Sequence, residues 1–141
     1  MSKVAIVYWS GTGNTEAMAN LVVEGATAAG AQPDVFTADA FSADKVAEYD
    51  AIAFGCPSMG SEQLEEFTFE PMFESVKPAL NGKKIGLFGS YGWGDGEWMR
   101  NWEADCVSAG ANIVAGPFIV CGGPDGYEDD CKQVGEDLAN A

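Results

Sequence analysis

Residues 4–30 read VAIVYWSGTGNTEAMANLVVEGATAAG, and the three parts of this stretch decide the fold. Val4–Tyr8 is a short, unbroken apolar run, the pattern of a strand covered on both faces. Ser10-Gly11-Thr12-Gly13-Asn14-Thr15 follows, a loop of glycines and small polar residues. Ala17, Met18, Leu21, Val22 and Ala26 then recur at helical spacing, and Gly30 stops the segment. Strand, polar glycine loop and amphipathic helix form the opening of a parallel α/β unit.

The same alternation continues outward. Further apolar runs stand at Ala51–Phe54, Ile85–Phe88 and Ile113–Val120, with a weaker one at Val35-Phe36. Gly116-Pro117 interrupts the last run, so that strand is expected to bend or to begin pairing late. Helical stripes lie between them. Phe67, Met72, Phe73 and Val76 form one, with Pro71 near its start. Trp98, Met99, Trp102 and Cys106 form another, ending near Gly110, and Cys131, Val134 and Leu138 a third within Tyr127–Ala139. A short turn is expected around Ala43–Tyr49. The pattern predicts an α/β fold, a doubly wound five-stranded parallel sheet with helices on both faces. No repeat or linker interrupts it, so residues 1–141 are expected to form a single domain.

Ligands of open parallel sheets bind beyond the carboxyl ends of the strands. Three loops leave such ends here. In Ser10–Thr15, two glycines let amides turn inward, four side chains offer neutral donors, and the next helix adds its N-terminal amides. That composition exceeds what an N-cap needs and fits a phosphate. The loop has no lysine, so it is not a triphosphate loop, and Glu16 stands where a dinucleotide fingerprint has its third glycine. In Gly55-Cys56-Pro57-Ser58-Met59-Gly60-Ser61-Glu62, the peptide after Gly60 can rotate at low cost. Met59 either offers a soft contact to an aromatic ring or lies buried beneath its own loop. In Ser90-Tyr91-Gly92-Trp93-Gly94-Asp95-Gly96, an indole between glycines suits a stacked flat ring, the alternative being a turn with an aromatic plug. A phosphate at one end and a planar ring between Met59 and Trp93 at the other describe FMN.

Composition narrows the function. Seven Lys and Arg face 22 Asp and Glu, for a net charge of −15. Such a surface repels nucleic acid and anionic membranes and attracts basic partners. There is no histidine, which removes the commonest general base and metal ligand. Cys56, Cys106, Cys121 and Cys131 include no C-x-x-C pair, which argues against zinc and thioredoxin chemistry. The apolar run Val4–Tyr8 is too short for a signal peptide or a membrane span. A cytoplasmic protein with reduced cysteines is expected.

The segment Tyr8–Thr15 resembles the phosphate loop of flavodoxins. Gly55–Glu62 resembles their loop on one flavin face, and Gly89–Trp98 the opposite loop of the short-chain members. The resemblance, not the apolar pattern, supplies the strand order 2-1-3-4-5 with FMN at the β1/β3 switch point. It implies cofactor-binding residues Ser10, Gly11, Thr12, Gly13, Asn14 and Thr15 at the phosphate, then Ser58, Met59, Gly60, Ser61 and Glu62, then Ser90, Tyr91, Gly92, Trp93 and Gly94. Met59 and Trp93 would sandwich the isoalloxazine, Glu62 would accept from N3–H, and the Tyr91–Gly94 backbone would serve the pyrimidine edge. The Gly60 carbonyl would turn toward N5 once one electron and one proton have arrived, stabilising a neutral semiquinone. Ser61 stands where many relatives have Asp. The small side chains of Cys121-Gly122-Gly123 offer little to the ribityl chain, and Trp9 either walls the phosphate end or joins the core. The implied function is a low-potential one-electron carrier, a monomer that is not an enzyme. It would shuttle between redox enzymes with basic docking surfaces. The alternative is an NAD(P)H-dependent FMN or quinone reductase on the same fold.

Overall fold

A computed structural model of the chain describes residues 2–141. Five strands, β1 (Lys3–Tyr8), β2 (Gln32–Thr37), β3 (Ala51–Gly55), β4 (Lys84–Tyr91) and β5 (Asn112–Cys121), pair in parallel in the order β2-β1-β3-β4-β5. The helices are α1 (Asn14–Ala28), α2 (Ala43–Val46), α3 (Phe69–Val76), α4 (Glu97–Ser108) and α5 (Glu128–Asn140). Every residue of β3 is buried, because this central strand has neighbours on both sides and helices on both faces. Edge strand β2 is largely exposed, and Pro33 sits there without cost to an interior ladder, which explains the weak signal at Val35-Phe36.

Alternation along the strands splits the core in two. Ala5, Val7, Ile52, Phe54, Ile85 and Leu87 meet α2, α3 and α4. Val4, Ile6, Ala51, Ala53 and Phe88 meet α1 and α5 on the other face. The buried side chains of α4 are Trp98, Met99, Trp102 and Cys106, the stripe its spacing predicts. In α1 the buried face is instead Thr15, Met18, Ala19, Val22, Gly25 and Ala26, while Ala17 and Leu21 are half-buried. The difference has a physical cause. Helix α5 lies so close to α1 that a Cβ on Gly25 would stand 1.9 Å from the Lys132 carbonyl, and one on Gly135 1.9 Å from that of Val22. Two glycines at a helix crossing let the backbones touch, and hydrophobic periodicity does not register them.

Strand β5 pairs from its first residue, Asn112 opposite Lys84, rather than late. The Gly116-Pro117 interruption is absorbed by register shifts against β4 between Ile85 and Phe88. All four cysteines are free, and Cys56, Cys106 and Cys131 are buried. Burial pushes the Cys106 thiol up to about 12 and that of Cys131 to about 11, and raises Cys56 as well, so these remain unreactive thiols.

Candidate functional site

The strand ladders do not stop at the strand ends. Trp9 N–H donates to the Gly55 carbonyl at 3.0 Å, Cys56 N–H to Phe88 at 3.2 Å, Ser58 N–H to Ser90 at 2.9 Å, and Gly122 N–H to Tyr91 at 2.8 Å. Four loops therefore leave the sheet from fixed roots and converge above the carboxyl ends of β1, β3, β4 and β5. They enclose a groove of about 280 Å³, lined by the Trp9–Thr12 segment, Asn14, Thr15, Pro57–Met59, Ser90–Gly92 and Gly122. Its lining is graded. Hydroxyl and amide side chains crowd the α1 end, and Trp9, Pro57, Met59 and Tyr91 form the rest.

At the α1 end, Gly13 is the N-cap with φ 99°. The Ser10 hydroxyl oxygen accepts from Gly13 N–H at 3.1 Å and Glu16 N–H at 3.2 Å, which curls the loop over the helix start. Asn14 and Thr15 N–H, in the first turn, have no intrahelical acceptor. One of the Thr15 and Ser90 hydroxyls donates to the other at 3.1 Å, and both residues are buried. That pair locks the helix start to the end of β4.

After β3, Met59 and Gln63 exchange two backbone hydrogen bonds, 2.8 and 2.9 Å, and close a tight turn over Gly60, Ser61 and Glu62. Gly60 takes the left-handed region at φ 54°, which glycine adopts without steric cost. Glu62, itself at φ 53°, reaches across to the β4–α4 loop, accepting from Asp95 N–H at 3.1 Å and Trp98 N–H at 3.3 Å. It caps α4 from another loop. Gly94 beside it is left-handed at φ 88°, which disfavours any side chain, and a Cβ there would displace the Glu62 carboxylate.

The groove thus gathers Ser10, Gly11, Thr12, Asn14, Thr15, Ser58, Met59, Ser90, Tyr91 and Gly92. Gly13 lies just behind it as the helix cap. Gly60, Ser61, Glu62, Trp93 and Gly94 are not among its lining: the first three lie in the turn closed by the Met59–Gln63 bridge, and Trp93 is 64% exposed on its loop. Met59 is 38% exposed, so it is not buried under its own loop. Trp9 does both things expected of it, walling the groove while packing against the core and beneath Gly11.

Three contributors escape sequence reasoning. Gly122 lines the groove with backbone, despite having no side chain to offer. Trp98 Nε1–H donates to the Cys56 carbonyl at 3.2 Å, holding the post-β3 loop to α4. Glu65, 5% exposed, accepts from Phe67, Thr68 and Phe69 N–H at 2.7–2.8 Å and so caps α3. An acid just before a helix whose first turn holds Pro71 was a readable sign of that cap.

The donor set suits one mononucleotide. Neutral hydroxyls, a side-chain amide and helix-start amides suit a phosphate, and an open groove between Met59 and the Tyr91–Gly92 backbone admits a flat ring edge. At Gly92 a Cβ would meet nothing within 4 Å, so no packing fills the space beside that backbone. Among the described residues no cluster of His, Cys, Asp or Glu could hold a metal ion. Fold and site define a parallel α/β protein that cradles a mononucleotide at the sheet's switch point.

Comparison with known proteins agrees. The Flavodoxin family model matches residues 6–134. The flavodoxin of Megasphaera elsdenii is 50% identical over 138 residues, covering 98% of this chain and 99% of that one. The flavodoxin of Clostridium beijerinckii is 44% identical over 135 residues, covering 96% and 98%. The solution structure of the two-electron reduced M. elsdenii protein superposes with a TM-score of 0.92 over 98% of this chain and 99% of that one. The chain belongs to the flavodoxin family of short-chain type, FMN-binding electron carriers rather than enzymes. The reductase alternative is set aside.

Proposed function

We infer that residues 1–141 act as one domain that carries single electrons at low potential, with the graded groove as the observation that carries this reading. FMN, when bound, supplies the one-electron chemistry. Ser10, Thr12, Asn14, Thr15 and Ser58 would hold the phosphate, with Gly11 and Gly13 letting the loop backbone close on it. Ser90 and the Tyr91–Gly94 backbone would orient the ring, between Met59 and Trp93. Glu62 uses both oxygens to cap α4, yet a carboxylate has about four acceptor sites and can take one more N–H. No basic residue lines the groove, and the −15 charge disfavours any further negative charge within it, which supports a low potential.

The Gly60 turn would present its carbonyl to the cofactor edge only when a donor stands there, with Ser61 completing the turn. Gly60→Ala tests this. A Cβ at Gly60 would touch only the flexible Gln63 side chain, at 3.7 Å or more, so the cost is conformational rather than steric. A left-handed alanine costs about 1–2 kcal/mol. The carbonyl-presenting state is the one expected to bear that cost, so the first one-electron potential is expected to fall by roughly 60 mV, a tenfold change in that equilibrium, with phosphate affinity unmoved. An anaerobic redox titration superimposing on the parent's would leave Gly60 as a turn residue only.

Trp93 has little of the protein against it. Trp93→Ala is expected to weaken FMN binding and change the quenching of flavin emission, while binding survives, since stacking contributes only about 0.5–1.5 kcal/mol beyond area burial. Unchanged affinity and emission would make Trp93 a bystander.

The acidic surface supports partners with basic docking faces and, through self-repulsion, a monomer. Among the described residues no helix is long and apolar enough to cross a membrane. Three buried free thiols support a reducing, cytoplasmic setting.

A further inference from the structure

Phe67 is 84% exposed, the most exposed of the large apolar side chains. It is not on a loose loop. Its N–H donates to Glu65 Oε2 at 2.8 Å, and the same buried carboxylate holds Thr68 and Phe69 N–H. The capping that starts α3 therefore fixes the backbone that displays the phenyl ring in water.

Beside it lies a pocket of about 200 Å³ walled by Trp9, Met59, Leu64 and Phe67, with Glu66 on its rim. Trp9 and Met59 also line the cofactor groove, so the two spaces adjoin. Charge along the segment that builds the pocket has one sign. Residues 57–76 contain five glutamates, Glu62, Glu65, Glu66, Glu70 and Glu74, and no Lys or Arg. Glu66 and Glu70 are exposed and make no ion pair among the described residues. A second copy of the chain, with −15 of its own, is a poor occupant.

We propose that the Trp9–Met59–Leu64–Phe67 pocket is the docking seat for the redox partner, taking an apolar face ringed by lysine or arginine. Phe67 inserts against that apolar face while Glu66 meets the surrounding cations. Desolvating an aromatic at the centre and leaving charges at the rim is how protein interfaces concentrate their affinity. Seating a partner here brings it beside the FMN groove. The inference rests on the reading that partners are basic.

Mitochondrial cytochrome c, a basic protein whose haem edge is apolar and ringed by lysines, is the probe. Binding between the two oxidised, cofactor-loaded proteins is measured by titration calorimetry across a salt series. Stopped-flow then follows the passage of one electron from the reduced carrier to the haem iron. Phe67→Ser is expected to weaken binding and slow the second-order rate at least tenfold at low salt, with FMN affinity within twofold of the parent. Glu66→Gln is expected to weaken binding and flatten the salt dependence, and Glu24→Gln on α1 to change neither. Parental binding by Phe67→Ser, with salt dependence retained, would overturn the seat but keep the basic-partner reading. Salt-insensitive binding by the parent would overturn that reading instead. A loss of FMN affinity in Phe67→Ser would assign Phe67 to the cofactor site. A parent dimer that Phe67→Ser dissociates would make a second copy the occupant. Either of these last results overturns the proposal.

Discussion

Riboflavin is expected to bind this protein at least a thousandfold more weakly than FMN. The α1 end of the groove offers Ser10, Thr12, Asn14 and Thr15 side chains and the amides of the first helical turn, and nothing apolar competes with a phosphate there. Ser10 is already committed as an acceptor for Gly13 and Glu16 N–H, which leaves its O–H free to donate outward. Hydrogen bonds to a charged group contribute about 1.5–3 kcal/mol each. Three at the lower end make about 4.5 kcal/mol, or three decades in affinity, before any helix-dipole term is added. Stacking on one aromatic face contributes about 0.5–1.5 kcal/mol, so phosphate recognition should outweigh ring recognition. Fluorescence titration of the apoprotein with each flavin is the measurement. Equal affinities would mean that the Ser10–Thr15 loop is only an elaborate helix cap.

A second large effect is expected at the α1–α5 crossing. Gly→Ala in a helix interior ordinarily stabilises by about 0.8–1.0 kcal/mol. At Gly25 and Gly135 the sign should reverse. The new Cβ would stand 1.9 Å from a backbone carbonyl oxygen, Lys132 or Val22, which cannot rotate away as a side chain can. The helices must separate along Met18, Val22, Cys131, Val134 and Leu138, buried residues of the core on that face. Overpacking costs typically 1–3 kcal/mol and sometimes more, so after the gain in helix propensity each single variant should lose up to about 2 kcal/mol net. That is a large share of the 5–15 kcal/mol typical of a domain. Because one separation relieves both clashes, Gly25→Ala with Gly135→Ala should cost less than the sum of the two. Urea midpoints report this directly, and a midpoint that rises in either single variant would contradict the close approach.

The sequence by itself determined the layer architecture. Strands covered on both faces must be apolar throughout, so β1, β3 and β4 announced themselves, and helices covered on one face must show a stripe, so α4 and α5 did too. It also carried the glycine-rich loop after β1 and the Met59 and Trp93 loops, because a backbone that must approach a ligand needs glycine and small polar residues in a contiguous run. Local chemistry is written locally. The remainder depended on contacts between residues far apart in the chain, which no window of sequence contains. Glu62 caps a helix that begins 35 residues later, Trp98 anchors the loop after β3 through Cys56, and Thr15 pairs with Ser90 across 75 positions. The glycine contact of α1 with α5 is invisible to periodicity, since it rests on an absence of side chains at two points that only the packed helices bring together. Tertiary structure likewise closed the turn over Gly60, Ser61 and Glu62 by pairing Met59 with Gln63, and hydrogen bonding of Phe67 to buried Glu65 sets an aromatic ring in water at the rim.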